Sequence, residues 1–137
     1  MKHFWLNLQG GLVQDFHKLM VWNKAHAVVL DIYAATRSFP VHERYGLQAQ
    51  LRRSASSIAT NLAEGCGRST AGGFATFVEI AFASANEARY QLLLCRDTRL
   101  MNHETYGHLY REMNEIQRML AALLKTLRER AARSRRH

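Results

Sequence analysis

The chain has 137 residues and a mass of 15.7 kDa, the size of one ordinary domain, and can bury a core without disulfide or metal staples. With 47% hydrophobic and 22% charged residues it is no disordered polymer, and no apolar run approaches the ~18 residues of a membrane span. A net charge of +8 and a pI near 10.1 favour acidic partners: nucleic acid, an anionic membrane face or an acidic protein.

Punctuation is sparse: one proline, Pro40, and eight glycines concentrated near positions 10, 65 and 72. Between these marks run four segments of helical period, with no alternating strand pattern to compete. The first helix is expected from about Lys18 to Arg37, with Leu19, Trp22, Ala25, Val29, Ile32 and Thr36 as its core stripe and Val21, Val28 and Ala35 widening the apolar face. It ends before Pro40, which disfavours helix in the residue ahead of it. The second is expected from about His42 to Ala63 or Glu64, its core stripe formed by Leu47, Leu51, Ala55, Ile58 and Leu62. Beside that stripe runs a polar seam that includes Arg53, Ser57, Asn61 and Glu64.

The run Gly65 to Thr70 reads as a turn, and Ser69 or Thr70 can cap the third helix, expected from Ala71 to Asp97. From Phe74 to Cys95 this helix is apolar nearly all round, so it must be covered on more than one side. Self-association through helix three is the expectation. Asn102 can cap the fourth helix, whose heptad is Tyr106, Leu109, Met113, Ile116, Leu120, Leu123 and Leu127. Arg111, Arg118 and Lys125 form a row seven apart on its other face. Four such helices with short connections give an all-α, antiparallel up-down-up-down four-helix bundle. Residues 1–15 are expected as an N-terminal extension, 16–127 as the bundle and 128–137 as a basic tail. That tail holds five Arg and one Glu, half of the net charge.

Chemistry is scarce. No Glu or Asp has a His three residues on, so the inward Glu-x-x-His pairs of a di-metal bundle are missing, and no metal or other cofactor is expected. Cys66, in a glycine-flanked turn beside Arg68, reads as a small turn residue before it reads as a nucleophile. The stretch from Gly65 to Gly73 lacks the Lys-Ser/Thr ending of a phosphate loop and does not follow a strand. No catalytic residue is expected. The polar seam is expected to face Ser84, Glu87 and Gln91 of helix three, forming a network of Arg53, Ser57, Asn61, Glu64 and Glu87 with an Arg53–Glu87 contact at its centre.

The run Leu51-Arg52-Arg53-Ser54, then Ser57-Ile58-x-x-Asn61-x-Ala63-Glu64-Gly65, lies between Leu19-x-Val21-Trp22 upstream and Phe74-x-x-Phe77-x-x-Ile80-Ala81-x-x-Ser84-x-x-Glu87 downstream. This pattern closely resembles the bacterial "four helix bundle protein" family, some members of which are encoded in intervening sequences of the large-subunit ribosomal RNA gene. The resemblance spans about Phe16 to Leu127. It implies an up-down bundle that assembles into a ring-like homo-oligomer, typically a homopentamer. The family also looks related to the accessory variability determinant of diversity-generating retroelements, a basic pentameric bundle that binds nucleic acid and a reverse transcriptase. Two departures stand out: Ala59 replaces a usual proline, and Ala71-Gly72-Gly73 replaces a usual charged stretch at the start of helix three.

Met1 to Leu12 lacks the apolar core and small-residue cleavage site of a leader, so a cytoplasmic protein is expected. Charge and resemblance together lead to a non-enzymatic accessory protein that binds RNA or DNA, mainly through the phosphate backbone. The candidate contacts are Arg52, Arg68, Arg111, Arg118, Lys125, Arg128, Arg130 and Arg133. Aromatic residues are not interleaved with these cations along the sequence, so a stacking platform is not expected. The competing reading is a scaffold for an unidentified protein partner, with no nucleic-acid role. No membrane contact is expected under either.

Overall fold

The structure, a computed structural model, describes residues 15–135. Four helices follow in order: α1 (Met20–Thr36), α2 (Leu47–Cys66), α3 (Ala71–Asp97) and α4 (His103–Arg135). Short 3-10 turns at Phe16–Lys18 and Val41–Glu43 precede α1 and α2. Among the described residues there is no strand, and no helix is long and apolar enough to cross a membrane. Each helix packs against its neighbours in sequence, α4 returns to α1, and the backbones of the diagonal pairs do not approach closely. This is the square of an up-down-up-down bundle.

The ends of the helices follow from local chemistry. Thr70 Oγ1 accepts from Gly73 N at 3.0 Å and Asn102 Oδ1 from Thr105 N at 2.7 Å, so α3 and α4 carry the side-chain caps expected of them. The start of α2 differs from expectation. Residues 41–43 form a separate 3-10 turn, and the helix begins only after Gly46, where Glu43 Oε1 accepts from Leu47 N at 3.2 Å. At its far end α2 runs through Gly65 to Cys66, so Gly65 belongs to the helix and not to the turn. A Cβ on Gly65 would sit 2.7 Å from Phe74 Cδ1, so the glycine admits the buried Phe74 ring against the α2 backbone.

The α3–α4 connection closes with Leu100 N donating to Cys95 O at 2.9 Å and Arg99 N to Arg96 O at 3.0 Å, a Schellman motif. Arg99 occupies its left-handed position at φ 62°, where glycine is the usual residue. Arg99→Gly is expected to stabilise the protein by about 1 kcal/mol, read as a rise in urea midpoint without a change in slope. An unchanged or lower midpoint would contradict this account of the turn.

Core positions largely match the helical pattern. On α1, Leu19, Ala25, Ile32 and Thr36 of the expected stripe are buried, and the flanking Val21 and Val28 are buried with them, while Trp22 and Val29 are only half-buried. Buried residues of α3 include Phe74, Val78, Ala81, Ala85, Ala88, Leu92 and Cys95, held between α2 and α4. Its outward strip keeps two large apolar side chains exposed, Ile80 at 44% and Tyr90 at 60%. The heptad of α4 is buried from Leu109 to Leu127, with Tyr106 half-buried at its start. The helix then continues through Arg135, so the basic segment expected as a separate tail is, as far as residue 135, its last two turns. Ala131 there is buried, and a Cβ on Gly72 would meet it at 3.9 Å, placing these turns beside the start of α3.

Candidate nucleic-acid interface

The polar seam between α2 and α3 forms, with a different membership from the one expected. Ser57 and Ser84 hydroxyls are 2.8 Å apart, and Asn61 Nδ2 donates to Ser57 O at 2.8 Å and to Ser57 Oγ at 3.1 Å. Deeper in, Ser54 Oγ donates to Gln91 Oε1 at 2.5 Å, and both residues are buried. Arg53 and Glu87 are exposed and make no hydrogen bond or ion pair with each other, while Glu64 lies 3.6 Å from Arg68 on the surface. Two long charged side chains gain more from water than from a dehydrated pair, whereas short Ser and Gln groups satisfy each other in a narrow seam. The seam fixes helix register and contains no acid-base pair.

Arg52, expected as a nucleic-acid contact, is structural. Its Nε donates to the buried Thr36 Oγ1 at 2.9 Å and its Nη2 to Tyr33 O at 3.2 Å, and its guanidinium lies 4.3 Å from the Tyr33 ring centre. It thus ties the last turn of α1 to α2. Arg52→Ala is expected to cost about 1–3 kcal/mol of stability, measured by chemical denaturation, with nucleic-acid affinity within twofold of the parent. A stable variant with lost binding would reverse this assignment.

Arg68 stacks over Phe77 at 4.5 Å and pairs with Glu64 beside the turn, and Thr70 already caps the start of α3. The glycine-rich turn is therefore occupied by its own side chains. Cys66 and Cys95 are both buried free thiols. Burial pushes Cys66 up to about 11 and Cys95 up to about 12, with the negative charge of Asp15 and of Glu43, respectively, adding to it. Neither is an activated nucleophile. Both thiols keep their protons in the fold after an unfolded thiol, near 9.0, has ionised. Their contribution to stability is complete below pH 9 and declines as the pH rises through about 11 and 12. Native protein at pH 8 is expected to react with a thiol reagent at least tenfold more slowly than urea-unfolded protein; equal rates would show the sites to be open.

The remaining candidate cations gather on α4. Arg111, Arg118 and Lys125 are all exposed, and seven-residue spacing places them about 10 Å apart along one outward face. Arg111 and Lys125 have no ion pair among the described residues, while Arg118 pairs with Glu115. Arg128 is exposed on the flank toward α3 and reaches Glu79 at 2.6 Å. Arg133 is exposed and lies close to the row, whereas Arg130 is half-buried and about a third of a turn round.

Next to this row, α3 and α4 meet along a continuous outer face. Arg96 lies 4.9 Å over the Tyr106 ring, Tyr106 stacks on Tyr110 at 5.1 Å, and Arg89 lies 5.2 Å from the Tyr110 ring centre. Arg89 Nη2 donates to Tyr110 Oη at 3.1 Å, and its Nε is buried without a partner among the described residues. Farther along, Phe82, Ala83, Ala121 and Leu124 floor a groove rimmed by Glu79, Lys125, Arg128 and Glu129. The fold thus sets side by side aromatic and basic side chains that the sequence keeps apart. Among the described residues no group of three His, Cys, Asp or Glu could hold a metal ion.

Against known families, the model of the 23S rRNA-intervening sequence protein family matches residues 17–122, which covers all of α1, α2 and α3 and most of α4. The chain belongs to this family. No curated protein matches it. Among solved structures, this intervening-sequence family member is similar to a protein of unknown function from the S23 ribosomal protein family of Bacteroides thetaiotaomicron VPI-5482. The two share 27% identity and a TM-score of 0.70, over 77% of this chain and 98% of the other. The matched segment ends before Lys125, so the last two turns of α4, with Arg128, Arg130 and Arg133, lie beyond it.

Proposed function

We propose that this intervening-sequence family member is a nucleic-acid-binding accessory protein that grips the phosphate backbone through the outward face of α4. The observation that carries this reading is the exposed row Arg111, Arg118 and Lys125 on one continuous helix, extended by Arg128 and Arg133. Phosphate binding needs cations at fixed spacing with little competing negative charge, and a rigid helix supplies that at low entropic cost. A binding role is favoured over catalysis because the charged pairs brought together here lie on exposed helix surfaces, not in a buried acid-base set.

The proposal includes self-assembly into a ring, as a homopentamer. Met20, Leu30 and Tyr33 on α1 and Ile80 on α3 support it, since each leaves large apolar surface exposed on the single chain. A ring would repeat the charge of +8 in every subunit and give a strong field toward phosphate. The same exposed residues would serve a protein partner in the scaffold reading.

The test is a titration of labelled RNA and DNA at low and moderate salt, with light scattering on the same sample for the subunit count. Affinity that falls steeply with salt is expected. Affinity that barely changes with salt, or no binding at low salt, overturns the reading.

A further inference from the structure

We infer that the α3–α4 face takes single-stranded nucleic acid, with unpaired bases stacking against Tyr90 and the guanidinium planes of the neighbouring arginine–tyrosine stack while the phosphates follow the cations of α4. This rests on the reading of α4 as a phosphate-binding face and goes on to name the strand form it selects.

The face carries three tyrosines. Tyr106 and Tyr110 stack on each other and are bracketed by the guanidiniums of Arg96 and Arg89. Tyr90, 60% exposed, follows Ala83 and Asn86 at helical spacing, and both of those line the α3–α4 groove. Its ring has no stacking or hydrogen-bond partner among the described residues. One exposed tyrosine on a surface is ordinary. Here it continues a strip of aromatic and guanidinium planes beside Arg111, Arg118 and Lys125, which is the composition a single strand needs.

Strand form is what this surface discriminates. In a duplex the base faces are buried in the helical stack, so only phosphates and groove edges can be met, and the tyrosines gain nothing. An unpaired base offers a flat face to tyrosine or arginine, and every base has one, so the preference is for unpaired strands with little sequence selection. The Arg89–Tyr110 and Arg96–Tyr106 contacts occupy the faces of those two rings and hold the guanidinium planes in place before binding, which lowers the entropic cost of stacking a base on them.

The experiment measures fluorescence anisotropy with a short mixed-sequence RNA, the same sequence as DNA, and the annealed duplexes of each. The proteins are the parent chain, Tyr90→Ala, Tyr90→Phe, and a triple variant with Gln at Arg111, Arg118 and Lys125. Expected are single strands bound about tenfold more tightly than duplexes, and Tyr90→Ala weakening single-strand binding by about tenfold while duplex binding stays within twofold. Tyr90→Phe keeps the ring and should bind as the parent does. Tight binding of either single strand supports the inference; a preference for RNA adds a role for the 2′-hydroxyl. Strands and duplexes bound equally, or Tyr90→Ala without selective effect, would overturn the inference. If both forms then weaken in the triple variant, backbone binding by α4 stands without base stacking. No binding to any probe overturns both.

Discussion

Phe74→Ala is expected to lower stability by about 3–5 kcal/mol, or roughly 10–20 °C in melting temperature. Phe74 is wholly buried at the start of α3, where its ring fills the space left by the missing side chain of Gly65. Gly65→Ala alone is also expected to destabilise, although alanine is the better helix former by about 1 kcal/mol. The added methyl would lie 2.7 Å from Phe74 Cδ1, 3.0 Å from Cε1 and 3.1 Å from Phe77 Cβ, in a core that cannot give way freely. The double variant should cost less than the sum of the two, by about 1 kcal/mol or more, because the cavity left by the ring accepts the methyl. Strict additivity in a denaturation cycle would show that Gly65 and Phe74 are not coupled in this way.

Neutralising Arg111, Arg118 and Lys125 together, each to Gln, is expected to weaken nucleic-acid binding by at least tenfold at moderate salt. The slope of log affinity against log salt should become shallower by about 2–3. The fold should barely notice, because the three side chains are exposed and the one surface ion pair among them contributes ~1 kcal/mol at most. Glu115→Gln gives the opposite sign. It frees Arg118 from its partner and removes a negative charge beside the row, so affinity should rise. Binding and salt slope unchanged in the triple variant would move the contact away from α4.

Much of the architecture was readable from spacing and caps. Thr70, Asn102 and the α4 heptad are short-range signals, and the α3 boundaries follow from them. The errors came where neighbouring residues were chemically alike or where the deciding partner lay far away in sequence. Val21 and Trp22, or Val28 and Val29, fit one helical stripe about equally well, and only packing against α2 and α4 selects the buried member. The basic composition of residues 128–135 suggested a solvated end, yet Ala131 gives that stretch an apolar contact and α4 carries on.

The site was less legible than the fold, for the same reason. Arg53 and Glu87 share the right faces, but length and charge keep them in water, while the buried partners are the unobtrusive Ser54 and Gln91, 37 residues apart. The sequence assigns Arg52 to the nucleic-acid face, and nothing local reveals that Thr36 and the Tyr33 carbonyl await it. The arginine–tyrosine stack joins Arg89 and Arg96 on α3 to Tyr106 and Tyr110 on α4, so it exists only once the two helices are side by side. The row of cations on α4 was visible because all of it lies on one helix.

The four helices do not share the core equally. The α2–α3 and α3–α4 seams are extensive, whereas α1 is short and packs more thinly against α2 and α4. Local opening free energies follow such differences in buried contact. The bundle is therefore a cohesive three-helix body with a detachable fourth stave: α1 should exchange its backbone amides through partial opening, well before α3 does. Release of α1 would bare the inner faces of α2 and α4, including Leu51, Leu109 and Met113. Any assembly contact that uses α1 thus also clamps the weakest part of the subunit, and association and folding stability would rise and fall together.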